Sequence, residues 1–170
     1  MKGIMFRDKY PGNNEIQVIQ GIKTQTRRMP KWLQQYNLKP DFWNKKAMAV
    51  YLEIHSRYKI GGIVYIKQKT EHQKNKMFAK EIHAKYFIEI TGVRIERLHD
   101  ISDEDCFKEG IIKNEFHGFI NPPINYNLSG DCKYFGKAKE AYFHLLKLVN
   151  PKLDINSNPW VIVYDFKLIK

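Results

Sequence analysis

The sequence predicts an α+β domain, a small, curved β-barrel with flanking helices. Three observations carry that prediction. Strand-like and helix-like patterns alternate along 170 residues, a length that suits one domain. The longest strand pattern, YFIEITGVRIERL, switches face at a glycine, as sheets that bend towards closure do. The last segment, NPWVIVYDFKLI, alternates so that Trp160, Ile162, Tyr164, Phe166 and Leu168 share a face.

Each element has a local cause. MKGIMF opens as a short strand. After Pro11, NNEIQVIQG reads as a helix with Asn13 or Asn14 as its cap, Ile16, Val18 and Ile19 as its apolar residues, and Gly21 at the left-handed position past its end. KTQTRRM resumes as extended chain, because its β-branched threonines carry no helical period. Pro30 and Pro40 break the next stretch. FWNKKAMAVYLEIHSRY reads as helical in its middle, with Met48, Tyr51, Leu52 and His55 on one side. Gly61-Gly62 make a turn into the strand IVYIKQ, where Ile63, Tyr65 and Lys67 point one way and Val64, Ile66 and Gln68 the other. KTEHQKNK reads as a solvated polar loop and AKEIHAK as a short helix.

In YFIEITGVRIERL, Ile88 and Ile90 share one face, while Val93 and Ile95 have the opposite parity. A bulge at Gly92 restores a common face. ISDEDCFKEGI carries a capping box, Ser102 with Asp105, preceded by Ile101 and ended by Gly110. FHGFINPPINYNLSGD is too long for a plain connection and reads as a lid or binding loop. AKEAYFHLLKLVNP is an amphipathic helix on Ala138, Tyr142, Leu145 and Val149, stopped at Asn150-Pro151. No internal repeat or low-complexity tail interrupts the pattern.

Composition narrows the class. Hydrophobic residues make up 43% of the chain, and a domain of this size buries roughly 70% of its unfolded surface. No run of eighteen apolar residues occurs, and MKGIMFRDKY has no signal-like apolar stretch, so a cytoplasmic protein without a membrane span is expected. Cys106 and Cys132 lack metal or disulfide-framework spacing and read as idle thiols, with a single bridge between them as the alternative. The six histidines show no ligand spacing, so neither metal nor cofactor is expected. His144 reads as structural, and Trp160 as core rather than as a base-stacking platform. A net charge of +11 favours phosphate-bearing partners, and equally describes a solvated lysine-rich face.

The residues with chemistry gather at GIKTQTRR, positions 21 to 28. A threonine hydroxyl becomes a nucleophile when a base takes its proton, and a buried lysine with a lowered pKa can be that base. A carboxylate can hold the lysine or serve a leaving amine. Lys23, Thr26 and Glu109 are thus a sufficient set for splitting an amide, with Arg27 or Arg28 to bind a carbonyl or phosphate oxygen. In an ideal strand, positions 23 and 26 face opposite ways, so they converge only if the turn at Gly21-Ile22 keeps Lys23 outside the ladder.

GIKTQTRR, GGIVYIKQ, EITGVRIERLHDISDEDCFKEGI and NPWVIVYDF, in this order, resemble the ASCH domain family, closest to its phage and prophage branch. Residues from about 29 to 60 and from about 112 to 135 match nothing in that pattern and stand as insertions within a single domain spanning 1 to 170. The resemblance implies a PUA-like fold. It also implies a possible amidohydrolase that removes the N4-acyl group of acetylcytidine-like substrates, with Lys23, Thr26 and Glu109 catalytic. Thr24, Arg27, Arg28, Tyr65 and Lys67 would then contact the ligand, a modified pyrimidine nucleoside or RNA. Gln68 stands where phage-type relatives often carry glutamate. Other members of the family are RNA-binding modules or, in a few cases, ribonucleases, so a non-catalytic RNA-binding module is the alternative and a metal-independent ribonuclease the third reading. A monomer is expected.

Overall fold

The structure, a computed structural model, describes residues 1–6, 14–29, 44–69, 75–115, 117–120 and 133–170. Its frame is a five-stranded sheet in the order β1-β3-β4-β7-β2. The strands are β1 (Lys2–Ile4), β2 (Gln25–Arg28), β3 (Ile63–Ile66), β4 (Phe87–Arg97) and β7 (Trp160–Leu168). β1 runs parallel to β3, and every other neighbouring pair is antiparallel. Strands β5 (Ile112–Asn114) and β6 (Gly118–Ile120) form a separate hairpin. The helices are α1 (Asn14–Ile19), α2 (Lys45–His55), α3 (Asp103–Lys108) and α4 (Ala138–Val149).

β7 is the spine. It pairs with β4 on one side and β2 on the other, and both of its faces are buried. Ile162, Tyr164 and Phe166 enter a core with Ile88, Ile90, Ile95, Val64, Ile66, Val18 and Leu52. Val161 and Val163 enter a second core with Leu98, Ile101, Cys106, Tyr142 and Leu145, so α3 and α4 cover the sheet face opposite α2. Val93 packs against the first core too, because the β4 register shifts between Ile90 and Gly92 and leaves Thr91 unpaired. The change of parity at Gly92 is thus a bulge. A Cβ at Gly92 would lie 2.8 Å from Asp165 Oδ2, so the missing side chain also admits the Asp165 carboxylate.

The predicted barrel is an open sheet. β1 and β2 are its edges, and among the described residues no backbone ladder joins them. A side chain crosses the seam instead, as Arg28 at the end of β2 donates from Nη2 to the carbonyl of Met5, 2.8 Å away, just past β1. β1 pairs with β3 alone and β2 with β7 alone among the strands of this sheet, so each keeps one edge out of the ladder.

Three local readings also change. Asn14 does not cap α1, since its Oδ1 is buried without a partner. The capping box of α3 is half-formed: Ser102 Oγ accepts from the Asp105 amide at 3.1 Å, while the Asp105 carboxylate turns to Gln25, Arg27 and Arg94. Residues 118–120, read as loop, pair with 112–114 as a hairpin that Phe135 extends by one bridge. Cys132, residues 121–131, the 30–43 stretch, the 70–74 loop, Pro11 and Asn13 lie outside the described residues.

Gly110 ends α3 with φ +101°, and a Cβ there would overlap Gln17 Oε1. Gly110→Ala therefore combines left-handed strain with a steric clash. It should lower stability by about 1–3 kcal/mol, read as a lowered urea midpoint at unchanged slope.

Candidate functional site

Lys23 is placed by backbone before its side chain matters. Gly21 turns the chain at φ +72°, and the amides of Ile22 and Lys23 donate to the carbonyl of Gln17 at 2.9 and 3.0 Å. The Thr24 amide donates to the Lys108 carbonyl at 2.9 Å, and the Gln17 side chain donates to the Gly110 carbonyl at 3.1 Å. Residues 22 to 24 are so pinned between the end of α1 and the end of α3. The β2 ladder begins only at Gln25, which leaves Lys23 outside it.

This arrangement carries the Lys23 ammonium onto Glu109, the residue that caps α3. Nζ donates to the Glu109 carbonyl at 2.7 Å and to its Oε2 in a closer contact. Both side chains are about 95% hidden from solvent, at 4% and 5% exposure. Removing two charges from water costs several kcal/mol per ion, so such a pair persists only where further donors complete it. Arg27 Nη1 lies 3.3 Å from Glu109 Oε1, and the Tyr142 hydroxyl donates to the same oxygen at 3.4 Å. Burial lowers the Lys23 pKa from its ordinary 10.5, against the opposing pull of the Glu109 carboxylate. Burial raises that of Tyr142, with Glu109 adding to it, so Tyr142 remains a neutral donor.

Around the pair lies a wider network. Arg27 donates from Nε and Nη2 to Glu96 Oε1 at 3.1 and 2.6 Å, from Nη2 to Asp105 Oδ2 at 2.9 Å, and from Nη1 to Gln25 Oε1. With Glu109, these contacts use every donor a guanidinium has. Arg27, expected to bind ligand, has no N–H left for one and acts by positioning Glu109. Arg94 binds Asp165 at 2.6 Å, Asp105 at 2.7 Å and Glu96 at 2.9 Å, and Gln25 bridges Asp105 and Asp165 at 2.9 and 2.6 Å.

A cavity of about 730 Å³ opens beside this network, within the size range of small-ligand sites. Lys23, Thr26, Arg27, Arg28, Lys67 and Glu109 all line it. Residues from both sheet edges and from α4 complete the wall, among them Gly3, Met5, Leu145 and Val149.

Two expected contact residues lie elsewhere. Thr24 serves through its backbone alone, between Lys108 and Phe166. Tyr65 is buried under residues 77–79, its hydroxyl given to the Ala79 carbonyl at 3.0 Å and its ring packed where a Gly3 Cβ would fall. The strand pattern put Tyr65 and Lys67 on one face correctly, but the chain that covers Tyr65 left no trace in that pattern. Sequence reasoning missed Arg57, Tyr58, Tyr142 and Tyr164 in the wall. Tyr142 and Tyr164 carried a signal, as polar-tipped residues on the apolar stripe of α4 and the apolar face of β7. Trp160 is half-buried with the Arg97 guanidinium 4.1 Å over its ring, and the His144 ring lies tilted against Phe135 at 5.0 Å between centroids. Cys106 is buried, and burial pushes its thiol up to about 12. Among the described residues, no group of three or more His, Cys, Asp or Glu is arranged to hold a metal ion, and no helix is long and apolar enough to cross a membrane.

No family model matches the sequence, and no curated protein matches it. Among solved structures the chain is similar to an ASCH domain from Lactobacillus crispatus JV V101, at 14% identity and TM-score 0.43, over 90% of this chain and 68% of that one. It is similar also to a DUF984 protein from Enterococcus faecalis V583, at 14% identity and TM-score 0.45, over 92% of this chain and 68% of that one.

The Asp105 carboxyl gives the network a pH signature. Burial works against its charge, but the Gln25 hydrogen bond and the Arg27 and Arg94 charges outweigh burial and hold its pKa below the ordinary 3.8. A depressed folded pKa means that the unfolded chain binds the proton more readily. This contribution to stability is complete above the unfolded value and is lost as pH falls through the folded one. Asp105→Asn should therefore be less stable at neutral pH and lose less stability than the wild type between pH 4 and pH 2, as urea midpoints across that range will show.

Proposed function

We propose that this chain is an ASCH-like domain whose cavity binds a pyrimidine nucleoside, and that it hydrolyses an N4-acyl group from it. The observation that carries this reading is the contact of the Lys23 amine with the Glu109 carboxylate on the cavity that Thr26 also lines. The ordered motifs of the sequence support it, since they assign those same three residues.

In this mechanism the neutral Lys23 amine takes the Thr26 proton as Thr26 Oγ1 bonds to the acyl carbon. The ammonium so formed stands beside the developing oxyanion. Glu109 passes a proton from Lys23 to the ring-attached nitrogen, the C–N bond breaks, and cytidine leaves. Water, deprotonated by Lys23, then attacks the threonyl ester, and a carboxylic acid departs as Thr26 regains its proton. Arg27 keeps the Glu109 carboxylate oriented throughout.

Purified protein given N4-acetylcytidine should release cytidine, measured by chromatography. The near-isosteric Thr26→Val and Lys23→Ala should each slow kcat by about 10²–10⁴-fold, with folding checked by Tm. Because the base must be neutral and burial lowers its pKa, kcat should rise with pH through a value below 10.5. Turnover by Lys23→Ala equal to that of the wild type would remove the amine from the mechanism.

The net charge of +11 favours one second reading, an RNA-binding module that uses the same cavity without chemistry. It requires that log affinity for a short RNA fall linearly with log salt. A flat salt response in a filter-binding titration counts against it.

A further inference from the structure

The cavity wall carries five cations, Lys23, Arg27, Arg28, Arg57 and Lys67, against one carboxylate, Glu109. Lys23 and Arg27 are already turned to Glu109. The other three make no ion pair with a carboxylate among the described residues, although the Glu109 charge acts on Arg28 from a distance. Arg28 gives Nη2 to the Met5 carbonyl, but its Nε is buried and meets no partner. Arg57 is exposed, its guanidinium 5.6 Å over the Tyr58 ring. Lys67 gives one hydrogen bond to the Met77 carbonyl at 2.7 Å, which leaves two of its N–H groups for another acceptor.

These three cations share one side of the cavity. The Lys67 amide donates to the Ile4 carbonyl at 2.8 Å, Tyr58 gives its hydroxyl to the Gly3 carbonyl at 3.1 Å, and Arg28 reaches Met5. All of these anchors belong to the β1 edge. Glu109, by contrast, is tied to Tyr142 of α4. Arg28 and Thr26 stand two residues apart on β2, about 7 Å along the strand. Burial lowers the Arg28 pKa, with a smaller contribution from the like charge of Arg57, against the opposing pull of Tyr58 and Glu109.

We propose that the β1 side of the cavity is a phosphate subsite, formed by Arg28, Arg57 and Lys67, and that the ligand is a pyrimidine nucleotide rather than a free nucleoside or base. The subsite rests on the reading that a pyrimidine occupies the Lys23–Thr26 side. The buried Arg28 Nε–H and the two spare Lys67 N–H groups are the donors for the phosphate oxygens, and Arg57 closes over them from solvent. Charge-assisted bonds of this kind hold phosphate strongly and discriminate against a hydroxyl in its place.

Calorimetric titration of the wild type with cytidine and with cytidine 5′-monophosphate tests the subsite without depending on turnover. The nucleotide should bind about tenfold or more tightly, and Arg28→Gln should bring the two affinities together. Arg57→Gln alters an exposed residue, so it reports the same collapse should Arg28→Gln fail to fold. A short oligocytidylate binding as tightly as the mononucleotide, with the same Arg57 dependence, would identify the phosphate as part of an RNA chain. Equal affinity for cytidine and its monophosphate, binding of neither, or a preference that both substitutions leave intact overturns the subsite. Deacylation of N4-acetylcytidine with no phosphate preference would sink this inference alone. A phosphate preference without deacylation would sink the proposed reaction alone.

Discussion

A lysine and a glutamate 86 positions apart in the chain meet in a volume from which water is excluded, and much of the structure is arranged so that they can. Each charge alone would be costly there, and together they are stable only because further donors complete the carboxylate. Arg27 and Tyr142 supply those donors, and Glu96, Asp105 and Gln25 in turn saturate Arg27. The result ties β2, β4, α3 and α4 into one polar assembly laid across the apolar sheet. Its pieces are mutually dependent. Gln17 and Gly21 aim Lys23, Gly110 lets α3 end against Gln17, and Gly92 gives Asp165 room to hold Arg94.

The cavity follows from what the sheet does not do. β7 and β4 pair over nearly their whole lengths and bury both sheet faces, while β1 and β2 lie at opposite ends of the strand order. Their unjoined edges leave a seam, crossed by the Arg28 side chain and lined by polar residues of β2. A closed barrel would have spent those side chains and backbone groups on itself. The open one leaves Lys23, Thr26 and several cations in the wall of a space of ligand size.

Within that space, two sets of charged side chains come from different elements. The lysine–glutamate pair belongs to the chain turns and helix ends on the α4 side, where burial can shift a pKa. The three cations without carboxylate partners belong to the β1 side, where one of them reaches solvent. Arg27 shows why residue type alone misleads. It lies in the wall, yet its donors are all engaged by the network, so its neighbour Arg28 is the arginine with something left to offer.

The chain's own pattern determined a good deal. The period-2 face of β7, the parity change at Gly92, the amphipathic stripe of α4 and the Ser102 start of α3 are local facts, set by pleat, helical turn and capping chemistry within a few residues. The ordered motifs also singled out Lys23, Thr26 and Glu109 together, and all three line one cavity. What only the tertiary structure decided is non-local. Whether positions 23 and 109 touch, whether the sheet closes, that Tyr65 is covered, that Arg27 is saturated and that Arg57 joins the wall all depend on residues distant in sequence arriving at one place. Periodicity records which way a side chain points relative to its neighbours in the chain, and it holds no record of what packing will bring to meet it.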